Sequence, residues 1–392
     1  MQNNRLSTSS DASRQTSEQI QQWLKLAPVL AIVVLTLLAA VVFCFSALAS
    51  TPECWRAPAE PRLLELEGSS SSGPLQRFLH HNERDGDGQL ELYSSDSPIA
   101  LASLYRWPLA DGTGAAAAFY ASPEPLDSDY DGLVDQLVIT DITGRIWLTR
   151  VNATGFTATR LLANLSHPDW LFIASAGVIE VSLPLGLRPD GLAGRHQKLL
   201  LIARNIITGE DALFTLRLPT GVPVATPVHF ADLVDRTVLT DTEQEEGLSN
   251  EQWLSIVASA GWWTRLSGQV TQPPKVVAGV IYSAVATSDF TADECAEHSA
   301  DHDVVAMQLH SAGLVYSQRR FRLLNGEGQL KLQRQTDGTA ALVLDSRDGQ
   351  QHVLADLKMI SPLCPNCTEQ LKLDEYPRWL KLATYRHETG AH

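Results

Sequence analysis

Leu137-Val-Ile-Thr-Asp-Ile-Thr-Gly144, continued by Ile146-Trp-Leu-Thr-Arg-Val-Asn-Ala-Thr-Gly155, reads as a strand, a glycine-closed turn, a second strand and a second such turn. The apolar runs are short, rich in β-branched residues and bounded by Gly, Asp or Asn, which is the pattern of strands rather than helices. The same form recurs at Leu104–Gly112, Leu213–Gly221, Val304–Gly313 and Ala341–Gly349, and Leu199–Gly209 supplies the preceding strand and turn for the Leu213 copy. The closing glycines fall at uneven intervals, between one and two multiples of roughly 40–45 residues, the length of a propeller blade. A small antiparallel sheet cannot bury both faces alone, whereas blades packed radially bury them and leave few exposed edges. The expected fold is therefore all-β, an irregular β-propeller, with a β-sandwich of similar hairpins as the alternative.

Immediately upstream stands Asp127-Ser-Asp129-Tyr-Asp131-Gly132-Leu133-Val-Asp135. Calcium takes six to eight oxygen ligands on a bendable loop, and aspartates at alternate positions turn their carboxylates toward one centre. Gly132 permits the sharp turn, the Leu133 carbonyl is a candidate backbone ligand, and Asp135 is expected to close the sphere. Four carboxylates this close repel one another without a cation, so loop and ion are expected to order together. A helical EF-hand needs a glutamate at its twelfth position; here that position is Val138, so the loop is a nine-residue variant running into a strand. Calcium is the expected cofactor; magnesium, which prefers rigid octahedral sites, ranks behind it. A weaker outline of the same kind, Glu83-Arg-Asp85-Gly-Asp87-Gly88-Gln-Leu-Glu91, is a possible second site or a plain turn between strands.

The chain has 392 residues, 44% of them hydrophobic, and its 30 Lys and Arg against 45 Asp and Glu give a formal charge of −15. Such a surface suits cations and repels phosphate backbones, so nucleic acid is not an expected partner. Pro28 to Ala49 carries no charge and is long enough to cross a hydrocarbon core of about 30 Å. Arg5, Arg14 and Lys25 precede it, which places the N-terminus in the cytoplasm and the remainder in the periplasm, with an inner-membrane anchor at residues 28–49. A cleaved signal ending at Ala47-Leu48-Ala49, giving a secreted or surface-associated protein, is the rival reading. Residues 1–27 are expected to be a disordered tail, 50–74 a linker, and 75–385 the folded domain.

Beyond the apolar segment lie Cys54, Cys295, Cys364 and Cys367, an even number suited to disulfides in an oxidising compartment. Cys364-Pro-Asn-Cys367 has redox-motif spacing, but no second pair completes a zinc site and no thioredoxin-like pattern surrounds it, so a structural disulfide within or involving this turn is expected. No nucleophile elbow, HExxH or phosphate loop is present, so no catalytic residue is assigned. His298 and His302 sit in an acidic stretch expected to be a solvated loop. The Trp262-Trp263 pair is expected to put one ring in the core and one at an edge.

Asp127–Asp135 followed directly by Gln136 to Trp147 resembles the calcium loop and following blade of the PilY/PilC family of type IV pilus biogenesis factors and tip adhesins. Ala231–Val238, Gly261–Leu266, Pro274–Tyr282, Cys295 and Val304–Leu309 follow in an order similar to that family's closing section. The resemblance implies a modified β-propeller, work with minor pilins in starting pilus assembly, and calcium occupancy that opposes retraction. It carries over Asp127, Asp129, Asp131, the Leu133 carbonyl and Asp135 as ligands. Family members are usually far longer, with an N-terminal adhesive region for which this chain has no room, so the implied role is membrane-proximal assembly or regulation rather than adhesion. Two other readings compete: a quinoprotein-like propeller dehydrogenase, and an envelope-assembly scaffold with structural calcium.

Overall fold

Among the described residues, five sheets of three or more strands follow one another along the chain, each built chiefly from antiparallel strands that are consecutive neighbours in sequence, and two two-stranded ribbons, Trp107–Leu109 with Gly112–Gly114 and Lys358–Ile360 with Thr368–Gln370, accompany them. They are seen in a computed structural model that describes residues 61–68, 74–81, 86–183, 194–219, 226–287, 302–323, 328–346, 349–361, 364 and 367–373. The first sheet is Arg62–Leu66, Leu75–His81, Leu90–Ser94 and Ala100–Leu104. The second is Glu124–Leu126, Gln136–Thr140, Arg145–Asn152 and Gly155–Asn164, with Val228–His229 added parallel to the last. The third is Trp170–Ser182, Arg195–Asn205, Asp211–Arg217 and Gly261–Arg265, with Val234–Asp235 added parallel. In the fourth, Gln269–Val270 and Lys275–Val277 both pair with Val280–Ala286, followed by His302–Gln308 and Arg320–Leu323. The fifth is Gln329–Arg334, Ala340–Ser346 and Gly349–Leu354.

Period-two alternation decides how these sheets stack, because successive residues of a strand face opposite sides. In Val280–Ala286, Val280, Tyr282 and Ala284 enter the core shared with the fifth sheet, while Ile281 and Val285 enter the core shared with the third. In Gln136–Thr140, Leu137 and Ile139 face the first sheet and Val138 faces the third. Four apolar clusters result, and each joins one sheet to the next in chain order. Four of the repeat copies seen in the sequence fall one to each of the second to fifth sheets; in Leu104–Gly112 only Leu104 belongs to the first sheet, and Trp107–Leu109 pairs with Gly112–Gly114 as a separate ribbon. Their glycine spacing is uneven because insertions differ; the largest places the helices Asp241–Glu246 and Asn250–Ala258 between the third and fourth strands of the third sheet.

Several expectations are corrected. The stretch 50–74 is not wholly a linker: Arg62–Leu66 is a strand paired with Leu75–His81, and its Leu64 and Leu66 are fully buried. The run Val276–Val285 is two strands joined at Ala278 and Gly279, whose φ values of 48° and 84° turn the chain back on itself. His302 and Asp303 belong to a strand, with His302 buried, rather than to a solvated loop. Trp262 and Trp263 are both buried, on opposite faces, one in each of the third sheet's two cores. The expected disulfide within the Cys364–Cys367 turn is present, with Cα atoms 5.2 Å apart. Cys54, Cys295, the tail 1–27 and the apolar run 28–49 lie outside the described residues; among those described, no helix is long and apolar enough to cross a membrane.

Buried charge is present in this stack. Asp211 takes a two-pronged ion pair from Arg204 at 2.8 and 3.1 Å and accepts the Val270 amide at 2.8 Å, tying the third sheet to the fourth. Lys198 shares a face with Leu200 and Ile202, and burial, followed by the nearby Arg217 charge, pulls its ammonium from 10.5 to about 7. Between those values the unfolded chain holds a proton that the folded chain lacks, so stability rises with pH through that window and the full cost is felt below it. Lys198→Met is therefore expected to raise the melting temperature at pH 7, with the gain shrinking toward pH 10.5 in a melting series. Gly261→Ala would place a Cβ 1.9 Å from the Thr215 carbonyl oxygen on the paired strand. A loss of about 1–3 kcal/mol or more is expected by denaturant unfolding, as for other overpacked positions.

Candidate metal centre

The Asp127–Asp135 segment is the connection of a hairpin in which Leu126 pairs with Gln136 and Glu124 with Val138. Chain on either side fixes its ends. The Asp135 amide donates to the Leu126 carbonyl at 3.1 Å, and the Asp135 carbonyl accepts from Val151 at 3.0 Å. The first sheet contributes Glu65, whose carbonyl accepts the Val134 amide at 2.8 Å. The third sheet contributes Gln197, whose Nε2 donates to the Asp127 carbonyl at 3.2 Å. The loop thus stands where three consecutive sheets meet.

Inside the loop, Asp127 is the organising residue and is buried. Its Oδ1 accepts the amides of Tyr130 at 2.6 Å and Asp131 at 3.2 Å, and its Oδ2 accepts that of Gly132 at 2.8 Å. The chain curls around this carboxylate, with Tyr130 at φ 66° and Gly132 at φ 95°. Only glycine adopts the second of these without strain. Three bonds leave room on the carboxylate for one more partner, since it has about four lone-pair positions. Asp129 and Asp131 are exposed, and one oxygen from each lies within 4.8 Å of the others and of one from Asp127. Two oxygens bound to one calcium at about 2.4 Å stand no more than about 5 Å apart, so the three fit a single ion.

Electrostatics points the same way. Desolvation, together with the charges of Asp131 and Asp135, raises the Asp129 carboxyl above its ordinary value. A divalent cation at this position would relieve that crowding.

Asp135, expected to close the sphere, lies outside that cluster. Asp135 accepts the Ser128 amide at 2.8 Å on Oδ1 and the Ser128 hydroxyl on Oδ2, with Gln136 Nε2 at 3.4 Å from the latter. It closes the loop as a clasp and stands apart from the Asp127, Asp129 and Asp131 cluster. The Leu133 amide donates to Asp131 Oδ1 at 2.8 Å, which orients that carboxylate. For the weaker outline, Glu83 and Asp85 lie outside the described residues and Asp87 is exposed. Glu91 accepts from Tyr93 Oη at 2.6 Å and from Gln89 Nε2 at 3.0 Å. Gly88 is held structurally, its carbonyl accepting the Trp107 indole at 2.8 Å.

The sequence reading missed Gln197 and the pair Arg195–Glu180. The Arg195 guanidinium lies 3.7 Å from the Tyr130 ring centroid and is ion-paired to Glu180. No local motif marks these residues, because only the pairing of the third sheet carries them to the loop.

No protein-family model matches this chain, and no curated protein matches it.

Because Asp127 serves three amides before any ion arrives, Asp127→Ala is expected to cost about 1–3 kcal/mol in calcium-free buffer, measured by denaturant unfolding. Asp129→Ala should leave the calcium-free melting temperature unchanged while weakening calcium binding by calorimetry. Equal effects of the two variants without calcium would contradict the role given to Asp127.

Proposed function

We propose that this chain is a calcium-binding, non-catalytic component of type IV pilus biogenesis or retraction control, an irregular β-propeller held at the inner membrane by residues 28–49 with its folded part in the periplasm. The observation that carries the reading is the cluster of Asp127, Asp129 and Asp131 on a hairpin braced from both sides. Support for the propeller comes from meander sheets that follow chain order and pack each on its neighbours. Support for the pilus setting comes from the ordered resemblance of Asp127–Trp147, Ala231–Val238, Gly261–Leu266 and Val304–Leu309 to PilY/PilC proteins. Calcium in this reading is a brace at a blade edge. It stiffens the hairpin and, through Gln197 and the Tyr130–Arg195 contact, the seam with the third sheet.

Two measurements test the proposal. Calcium should raise the melting temperature of the full chain more than magnesium does, and chelation should reverse the gain. Asp129→Ala should abolish the difference. Affinity capture from membranes, with calcium present, should recover minor pilins. Recovery of envelope-assembly machinery instead would favour a scaffold with structural calcium. A stoichiometric quinone absorbance on the purified protein would replace the non-catalytic reading altogether.

A further inference from the structure

The seam between the third and fourth sheets is tied differently at its two ends. Where Arg204 stands opposite Asp211, the charges cancel and Asp211 reaches on to the Val270 amide. Further back along the same strand, Lys198 stands opposite Arg217, cation against cation. By the alternation of the strand, His196 and Lys198 share the face of Leu200 and Ile202, the one turned toward the fourth sheet. From the fourth-sheet side comes His310, just beyond the strand His302–Gln308, with its ring 5.6 Å from that of Trp253 on the helix Asn250–Ala258.

This cluster is buried and short of negative charge. His196, Lys198 and His310 are 1%, 5% and 7% exposed. Among the described residues no carboxylate pairs with Lys198 or His310, and the buried His310 Nδ1 has no hydrogen-bond partner. Arg217 donates to the Val257 and Ala258 carbonyls at 3.1 and 3.2 Å, in the last turn of the helix, and is a fixed cation. The turn after His310 draws in two more: Arg236 donates to the Ser311 carbonyl at 2.7 Å, and Arg319 to that of Ala312. Glu243 stands beside them, but it is ion-paired with Arg236. The turn is also strained, with Ala312 at φ 51°.

Such a seam closes best when its lysine and histidines are neutral. Burial, followed by the Arg217 charge, is what brings the Lys198 ammonium to about 7. Burial, followed by the charges of Lys198 and His196, holds His310 well below its ordinary 6.5. Both shifts are downward, so the closed seam holds fewer protons than an opened one, and closure is favoured at high pH. For Lys198 the loss accrues from 10.5 down to about 7, and for His310 it begins below 6.5. Arg195, exposed at the head of the strand, places this end of the seam near water, so a charged Lys198 reaches solvent by a local opening.

We propose that His196, Lys198, Arg217 and His310 form an acid-operated latch: proton uptake opens this end of the seam and releases the helix Asn250–Ala258 and the turn Leu309–Gly313, while the tie from Arg204 through Asp211 to Val270 keeps the other end closed.

The test is hydrogen exchange of the full chain, read by mass spectrometry from pH 9 to pH 5.5 and corrected for the intrinsic pH dependence of exchange. Between pH 9 and 7, protection of peptides covering 250–258 and 309–313 should fall about tenfold per unit, the slope of a one-proton linkage, with a further fall below 6.5. Peptides covering 204–211 and 268–270 should keep theirs. Lys198→Met should flatten the profile between pH 9 and 7, and His310→Gln should flatten it below 6.5. Lys198→Arg, which stays charged throughout, should leave the helix and turn poorly protected even at pH 9. Protection unchanged from pH 9 to 5.5, a fall equal across all five sheets, or the same profile in Lys198→Met as in the parent chain would overturn the proposal.

Discussion

A sheet with two apolar faces cannot stand at the surface. In the strand Arg195–Asn205 every residue after the first is buried, with Leu199, Leu201 and Ala203 on one side and Leu200 and Ile202 on the other. Water must be excluded from both sides, so the third sheet requires the second and the fourth as covers. Each of those is again apolar on both faces and passes the requirement outward. The demand ends where polar residues return: in Gln329–Arg334, Leu330 is buried while Gln329, Lys331 and Arg334 are exposed. Burial at about 25 cal/mol per Å² makes these seams the main source of stability. Hydrogen bonding within each sheet then fixes which residue faces which seam, because a slip of one residue would invert the pattern.

Polar groups caught inside the seams are used as ties. Asp211 has its charge opposed by Arg204 and spends its remaining capacity on the Val270 amide across the third and fourth sheets. Asp141 does comparable work at the second sheet, accepting the Arg145 amide and guanidinium and the amides of Thr143 and Ala117. Removing one partner of such a pair leaves a buried charge, which costs far more than the pair contributes when intact. Gln197 and the aspartate loop follow the same economy, one side chain of the third sheet answering one carbonyl of the second.

Strand identity and the loop were readable because both are local. Alternation and glycine turns announce strands such as Arg145–Asn152, and spacing of two between aspartates brings three carboxylates together on any tight turn. What could not be read was whatever depends on pairing between distant segments. Arg62–Leu66 has proline-rich surroundings and too few residues to advertise itself; its leucines become core only through Leu75–His81. The Ala278-Gly279 turn lacks the asparagine that would mark a hairpin, so two strands read as one. Asp135 has the spacing of a ligand, but it closes on Ser128 and is not part of the Asp127, Asp129 and Asp131 cluster.

The aromatic residues are partitioned by the same stacking. Trp107 and Trp147, with ring centroids 5.0 Å apart, occupy the seam between the first and second sheets. Trp170 and Trp263 occupy the next, and Trp253 and Trp262 the one after. Among the described residues the last seam holds no tryptophan, but the buried Tyr282 hydroxyl meets that of Tyr316 there. Three of the four seams therefore carry tryptophans of their own, so the fluorescence of single-tryptophan variants resolves whether those three loosen one after another or together.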